Sequence, residues 1–297
     1  MLPPDVGQKL AQHLYFHCSD HLLLWTPLVM VLWFVLGRGM AVLTPETPEG
    51  CQKLRVLSVF VFTLLWTCTI SISLVLLKKL TFIQEKYSIV HGNRAIEIQK
   101  QYSIPPCVGR PVPHFVGISL RNLVLHLAVA LSTCCYTKAG LLWSGGWSDV
   151  DFYPGLLQVL AEFWLLHLVD ELLLDVSHRW ILHAKPLYAL IHKDHHSAPA
   201  DEPLSFWYMT LPDSLLEVTI PVVLFVAVLG CSWLGVWILL LITEVEGLYS
   251  HSGLDFGWPF FSAEYHYLHH AQCNVSFSGG WMDVLLQTQP REAKTKA

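Results

Sequence analysis

Long apolar runs alternate with polar segments along this chain. Four of the runs have the length of a single helical crossing of a bilayer, since about 20 helical residues span the hydrocarbon core. These four runs cover roughly residues 22–37, 56–77, 117–136 and 155–176. Each run is predicted to form one transmembrane helix.

A fifth apolar run covers roughly residues 214–243. Pro221 lies near its start, and Gly230 and Gly235 lie in its middle. Proline and glycine interrupt helices, and the run is longer than one upright crossing needs. We therefore expect a helical hairpin that returns to its side of entry, rather than one tilted span.

The charges of two polar loops predict the orientation in the membrane. Loop 78–116 carries six basic residues, whereas loop 136–154 carries only Lys138. Because cytosolic loops are enriched in Lys and Arg, loop 78–116 is predicted to be cytosolic and loop 136–154 to lie on the far side. The fourth helix then ends at the cytosolic face, just before His178.

The predicted fold class is an all-α, polytopic membrane protein with four transmembrane helices plus a helical hairpin. If the hairpin forms, residues 178–213 and 244–297 meet on the cytosolic face as a histidine-rich helical cap. We divide the chain into N-terminal transmembrane helices with a cytosolic loop at 1–150, a catalytic domain at 151–290 and a polar tail at 291–297.

Composition agrees with a membrane protein. Of the 297 residues, 53% are hydrophobic and 14% are charged, against about 25% charged in an average soluble domain. The net charge of −5 gives no basic face for nucleic acid. The eight cysteines include no CxxC pair, so no disulfide framework can be derived from them.

The candidate chemistry lies in histidines. The stretches HKDHH, from residue 192, and HYLHH, from residue 266, have the same spacing. On a helix, this spacing places three imidazoles on one face, so each stretch is expected to aim them at one point. Imidazole binds iron, zinc, copper and nickel. Nine histidines are too many for one metal and suit two: His178, His183, His192, His195, His196, His251, His266, His269 and His270. The alternative is that they are interfacial histidines at a membrane surface.

The pair His178 and His183 has a different spacing. A separation of five residues turns about 140° on an ideal helix, so the two rings would not share a face. We therefore expect either a helix end or a local bulge here. Glu171 and Asp175 precede the pair on the same stripe of the helix, and we predict that they orient ligand imidazoles. They could equally be carboxylates that reach back to the membrane surface.

Together, HRWILH, LYALIHKDHH, HSG and AEYHYLHH resemble the fatty acid hydroxylase / sterol desaturase superfamily of membrane-bound, non-haem di-iron oxygenases. The greatest similarity is to its C-4 methylsterol oxidase branch. The features that carry this similarity are HSAP from His196, Tyr208 and Pro212, Glu246 ahead of HSGLDF, and Asn274 followed by Trp281-Met282-Asp283.

The resemblance implies two iron ions held by the nine histidines, with O₂ as co-substrate. It also implies cytochrome b5 and its NAD(P)H-dependent reductase as electron donors. Glu246 and Asn274 are then further residues expected to support the ligands. No GxGxxG and no haem-binding motif occurs in the chain, which agrees with an external donor. Arg179, Lys185 and Lys193 could dock an acidic donor.

The chain departs from the sterol branch in three places. Four residues, not three, separate His178 from His183, as in fatty acid 2-hydroxylases. Leu211-Pro212-Asp213-Ser214 lacks the usual histidine, and Gln287 replaces a glycine. These departures concern the substrate class.

The predicted function is oxygen-dependent oxidation of a C–H bond of a lipid, foremost a sterol, in the endoplasmic reticulum membrane with the histidines facing the cytosol. A fatty acyl or sphingolipid hydroxylase or desaturase and a non-catalytic metal-binding membrane protein remain alternatives.

Overall fold

A computed structural model describes residues 24–36, 48–104, 112, 114–136, 154–198, 201–229, 231–257 and 262–290. Within these ranges the chain is helical, and no β-strand occurs apart from one isolated bridge between Ser88 and Leu254. The all-α prediction is therefore confirmed for this part of the chain. Most of the predicted loop 136–154 and the tail 291–297 lie outside the described residues.

The N-terminal half contributes five helices to the described structure. They are α1 (Leu24–Leu36), α2 (Pro48–Lys78), α3 (Thr81–Tyr87), α4 (Gly92–Tyr102) and α5 (Phe115–Tyr136). Within the described residues, only Leu57–Lys78 of α2 is long and apolar enough to cross a membrane by length and composition, and α1 and Phe115–Ala130 of α5 are shorter apolar helices.

The C-terminal half begins with α6 (Leu156–Asp175), which continues as a π-helical segment, Val176–Leu182. Short pieces follow: α7 (Lys185–Leu187), a second π segment (Tyr188–His192), α8 (Lys193–Ser197) and a 3₁₀ turn (Pro203–Trp207). Next come α9 (Leu211–Ser214), a third π segment (Leu215–Thr219) and α10 (Ile220–Leu229). The chain ends with α11 (Trp233–Ser250), α12 (Ala263–Gln272) and α13 (Trp281–Leu285).

Helix α11 lies at the centre of the molecule. Its residues from Val236 to Ile242 are all buried, and it packs against α2 and α6. A helix that is hydrophobic on all sides needs such surroundings. By contrast, α2 exposes Leu57, Leu65, Ile72 and Leu76, as a lipid-facing helix would. Helix α11 is therefore stabilised by packing on all sides, whereas α2 carries exposed apolar surface.

The fifth apolar run is divided between α10 and α11, and both helices contact α6. Ser232 caps the start of α11 by accepting a hydrogen bond from Gly235 N. Gly235 lies in the first turn of α11, where an added Cβ would collide with the Glu162 carboxylate. This glycine therefore permits close packing of α6 on α11, and the break in the run lies before it.

The loop after α11 is fastened to the N-terminal half. Ile89 N donates to Gly253 O at 3.0 Å, and Asp255 N donates to Tyr87 O at 2.9 Å. Arg94 pairs with the Asp255 carboxylate at 3.1 Å. These contacts fix the chain that follows His251, so the segment between α3 and α4 helps to position a predicted ligand.

Candidate metal centre

The nine predicted histidines lie together and form two groups. The first group contains His178, His183, His192, His196 and His269, and the second contains His195, His251, His266 and His270. Within each group, one ligand nitrogen from every histidine lies within 4.8 Å of all the others. Two metal-sized centres are therefore arranged side by side in the described part of the chain.

Each three-histidine motif contributes to both groups. From HKDHH, His192 and His196 join the first group and His195 joins the second. From HYLHH, His266 and His270 join the second group and His269 joins the first.

The expectation that each motif aims all three imidazoles at one point is therefore wrong. On a helix, residues i and i+4 differ by about 40°, but i+3 and i+4 differ by about 100°. The i, i+4 pair consequently shares one centre while the i+3 residue reaches the other.

The distances between ligand nitrogens fit metal coordination. A first-row metal binds imidazole nitrogen at about 2.0–2.1 Å, so two ligand nitrogens on one metal lie about 2.9–3.4 Å apart. In the first group, His192 Nε2 lies 3.0 Å from His178 Nε2 and 3.1 Å from His196 Nε2. In the second, His266 Nε2 lies 2.9 Å from His251 Nε2 and 3.0 Å from His270 Nε2.

Hydrogen bonds made by Nδ1 of each histidine determine whether its Nε2 presents a proton or a lone pair to the centre. A backbone carbonyl only accepts, so a histidine bonded to one through Nδ1 carries its proton there. His195 Nδ1 donates to Tyr208 O at 3.3 Å, and His251 Nδ1 donates to Gly247 O at 2.8 Å. Their Nε2 atoms, 3.4 Å apart, then present two lone pairs to each other. A cation held between them would resolve this contact.

The first group shows the same arrangement. His178 Nδ1 donates to Phe277 O at 2.9 Å, and His269 Nδ1 donates to Val275 O at 2.7 Å. His269 Nε2 and His183 Nε2 are buried and have no hydrogen-bond partner in the described residues. Buried nitrogen without a partner is costly. The residues therefore fit a bound metal in both groups.

Burial keeps these imidazoles neutral. Burial, and secondarily the neighbouring imidazoles, lower the pKa of His178, His196, His251, His266 and His270 well below the usual value. Burial also lowers the pKa of His183 and His195 to about 4, and that of His269 to about 3. Neutral imidazoles keep their lone pairs available for a metal at physiological pH.

The local backbone explains how His178 and His183 reach one centre. Residues Val176–Leu182 form a π-helix, and His183 N donates to His178 O at 2.9 Å, an i→i+5 bond. The wider turn brings residues five apart towards the same side, and the ring centroids of His178 and His183 are 5.0 Å apart. The expected bulge at this pair is therefore present.

Two carboxylates that the sequence argument did not select contact the first group. Asp213 is fully buried, and its two oxygens lie 2.9 and 3.0 Å from His192 Nδ1. Glu217 lies 3.6 Å from His178 Nδ1 and 3.7 Å from His192 Nδ1. The sequence does contain a signal that could have identified them. Two acidic residues four apart lie at the start of an apolar run, and charged residues in such a run are rarely without function.

The residues predicted to support the ligands lie in different surroundings. Glu171 and Glu246 line a cavity beside the histidines. Glu171 accepts a long hydrogen bond, 3.5 Å, from Met282 N. Asp175 is fully buried, but within the described residues its carboxylate has no hydrogen-bond partner. Asn274 is exposed in the turn after α12. No hydrogen bond links either Asp175 or Asn274 to a ligand histidine in the described chain.

A cavity of about 190 Å³ adjoins both groups. Histidines from each group reach it, together with the apolar side chains of Leu174, Phe206, Val222 and Phe277. Several carboxyl-bearing residues also line it, whereas no Lys or Arg occurs among its described lining residues. The cavity can therefore take an apolar molecule next to the metal-sized centres, and it offers no cation to a charged acid.

Comparison with known proteins finds one family model and several curated relatives. Residues 163–288 match the model of the fatty acid hydroxylase family. The chain is 28% identical to methylsterol monooxygenase 1-3 of Arabidopsis thaliana over 128 residues, which are 39% of this chain and 42% of that protein. It is 32% identical to methylsterol monooxygenase erg25A of Aspergillus fumigatus over 152 residues, 46% of this chain and 49% of that protein.

The chain is also similar to cholesterol 25-hydroxylase of Mus musculus, with 32% identity over 136 residues, 42% of this chain and 45% of that protein. It thus spans less than half the length of these three relatives. No solved structure matches the chain.

Proposed function

We propose that this protein is a membrane-bound oxidoreductase, because residues 163–288 match the fatty acid hydroxylase family model and the chain is similar to methylsterol monooxygenases. It uses two iron ions and O₂ to oxidise a C–H bond of a lipid, foremost a sterol. The nine buried or half-buried imidazoles, which form two groups beside a cavity, carry this proposal.

The all-nitrogen donor set suits iron that must change its oxidation state. Imidazole ligation leaves iron redox-active and able to keep positions open for a small molecule. When bound, two such ions would supply the oxidising chemistry from O₂ and external electrons. A structural zinc site would need only four ligands, usually including cysteine.

The chain itself binds and orients the lipid. Phe206 and Phe277 offer flat apolar surface to the cavity beside His251 and His178, and Leu174 and Val222 extend that surface. Such walls exclude water from the target carbon and hold it at a fixed place beside the metals.

The charge of the cavity favours an uncharged lipid. A free carboxylate or sulfate placed there would be desolvated without a cation to compensate it. A sterol alcohol meets no such penalty, and the proteins similar to this one include a cholesterol 25-hydroxylase. A fatty acyl or sphingolipid hydroxylase is the second candidate, favoured by the four residues that separate His178 from His183. An acyl chain in ester or amide linkage would also be uncharged.

A partner must supply the electrons. We propose cytochrome b5 with its NAD(P)H-dependent reductase, docking on the face that carries the first group. Lys185 and Lys193 are exposed there, and exposed cations attract an acidic partner.

We further propose the predicted topology. Four transmembrane helices and a hairpin made by α10 and α11 would bring residues 178–213 and 244–290 to one cytosolic face of the endoplasmic reticulum membrane. The exposed apolar residues of α2 and α5 support a lipid-facing role for these helices. The catalytic domain would then occupy residues 151–290.

The test begins with metal content. Protein purified in mild detergent should contain about two irons per chain, since two histidine groups are available. Iron-loaded protein should consume O₂ only when both an electron donor and a lipid are present, with a 4-methylsterol preferred over an acyl lipid. A protein variant with His266→Ala is the matched inactive control. A folded protein that binds metal but never couples O₂ consumption to lipid oxidation would support the non-catalytic alternative.

A further inference from the structure

The first histidine group has carboxylate partners that the second group lacks. In the first group, His192 Nδ1 faces both oxygens of Asp213, and Glu217 approaches His178 and His192. In the second group, the partners of His195 and His251 are backbone carbonyls and the Ser250 hydroxyl. No carboxylate oxygen lies within 4.0 Å of a ring nitrogen of the second group in the described chain.

His192 is the central ligand of the first group. Its Nε2 lies within 3.1 Å of the Nε2 atoms of two other ligands, His178 and His196. The orientation of the His192 ring therefore affects its spacing to two other ligands of the group.

The position of Asp213 is itself set by neighbouring contacts. Thr210 Oγ1 accepts a hydrogen bond from Asp213 N and donates one to Ile191 O, at 3.4 and 2.8 Å. Ile191 is the residue before His192, so Thr210 ties the carboxylate to the backbone of the ligand that it contacts. The π-helical segment Leu215–Thr219 then brings Glu217 to the same rings.

Asp213 and Glu217 are both buried, and in the described chain no Lys or Arg nitrogen lies within 4.0 Å of either carboxyl group. Buried carboxylates require a compensating positive charge. A metal in the first group would supply it through His192 and His178.

From this arrangement we infer that Asp213, supported by Glu217, is a positioning residue that makes the first group hold its metal more tightly than the second. This inference rests on the proposed metal binding. Hydrogen bonds to a carboxylate are about twice as strong as those between neutral groups. Carboxylate partners of ligand histidines also make the imidazole more basic, and their loss typically lowers metal affinity about 10–100-fold.

The experiment is a competition between the protein and a chelator. Ferrous iron is loaded into the purified protein without O₂ or lipid, and the iron remaining per chain is measured as EDTA is increased. We expect iron to be released in two steps, one at low and one at high EDTA concentration. The His266→Ala variant should lack the step at low EDTA, because it loses a ligand of the second group. Asp213→Asn keeps the shape and an acceptor oxygen but removes the charge, and should shift only the tighter step by about 10–100-fold.

Two further variants control the interpretation. Glu244→Gln also changes a buried carboxyl group, but Glu244 accepts hydrogen bonds from Thr67 and Trp207 and not from a histidine, so both release steps should stay unchanged. Glu217→Gln should shift the tighter step in the same direction as Asp213→Asn, but less. If the Asp213→Asn variant does not give monodisperse protein, the Glu217→Gln variant is sufficient for the test.

The inference is overturned if these variants leave the tighter step unchanged, or if both steps shift equally. Failure of the proposed function looks different. A folded chain that binds no iron would contradict both the inference and the proposed function. A chain that releases its two irons unequally but never oxidises a lipid would support the inference and contradict the proposed oxidase activity.

Discussion

The motifs HKDHH and HYLHH have the same spacing but different backbones and surroundings. HKDHH begins at the end of a π-helical segment and continues into α8, whereas HYLHH lies wholly within the regular helix α12. Lys193 and Asp194, between the histidines of the first motif, are exposed. Tyr267 and Leu268, at the same places in the second, are 1% and 0% exposed.

The shared HxxHH spacing therefore determines which residues are ligands. It does not determine whether the helix that carries them is exposed or buried. One motif lies at the surface of the histidine cap, and the other is part of its apolar core. Because each motif supplies ligands to both groups, the two helices are held in one arrangement wherever both metals are bound.

The largest expected effect comes from the crossing histidines, His195 and His269. Each is the i+3 residue of its motif and joins the group that the other two do not. We expect His195→Ala to lower metal content through the second group and His269→Ala through the first, each abolishing lipid oxidation. Metal analysis and O₂ consumption check this. Full metal content and turnover in the double variant would contradict the assignment.

A smaller effect separates the surroundings of the two motifs. Leu268 packs with Ile89, Val90 and Leu248, so Leu268→Ala should lower the free energy of unfolding by about 2–5 kcal/mol. Lys193→Ala, at an exposed position of the other motif, should change it by less than about 0.5 kcal/mol. Unfolding of both variants in the same detergent measures the contrast. Equal losses would mean that HKDHH is buried as deeply as HYLHH.

The smallest effect is the contribution of a single histidine, per pH unit, to the stability of the metal-free protein. Burial lowers the pKa of His195 to about 4 and of His269 to about 3, from an ordinary value of 6.5. Below pH 6.5 the unfolded chain therefore binds protons that the folded chain does not, and stability falls as the pH falls towards 4.

Each such histidine contributes at most about 1.4 kcal/mol per pH unit. Unfolding free energies measured from pH 7 to pH 4 should show this slope, and replacing either histidine by Gln should reduce it. A flat profile would show that the imidazoles are hydrated in the folded state.

The nine histidines could be predicted from the sequence as one set of metal ligands, because their spacing is recognisable without tertiary structure. It also allowed a distortion to be expected between His178 and His183, because five residues do not fit an α-helical turn. The all-helical class followed from the length of the apolar runs.

The sharing of histidines between groups could not be predicted. It depends on how α8 and α12 face each other, which no spacing within one helix records. Asp213 and Glu217 were missed for a related reason. Asp213 lies just before, and Glu217 within, an apolar run that was assigned to the membrane, and only the folded structure brings both residues beside His192. The four-helix topology stays a prediction, because only the Leu57–Lys78 segment passes as a membrane span in the described chain.

The Asp283 carboxylate has a consequence for how short a working version of this chain can be. It accepts hydrogen bonds from the backbone of Phe277, Ser278 and Gly279 and from the Thr288 hydroxyl. Ser276 N donates in turn to Thr288 O at 2.7 Å. The resulting loop carries Val275 O and Phe277 O, which orient His269 and His178.

Truncation just after the last histidine would therefore keep every ligand and still lose the scaffold that aims two of them. The shortest chain able to assemble the centre must extend through Thr288, eighteen residues beyond His270.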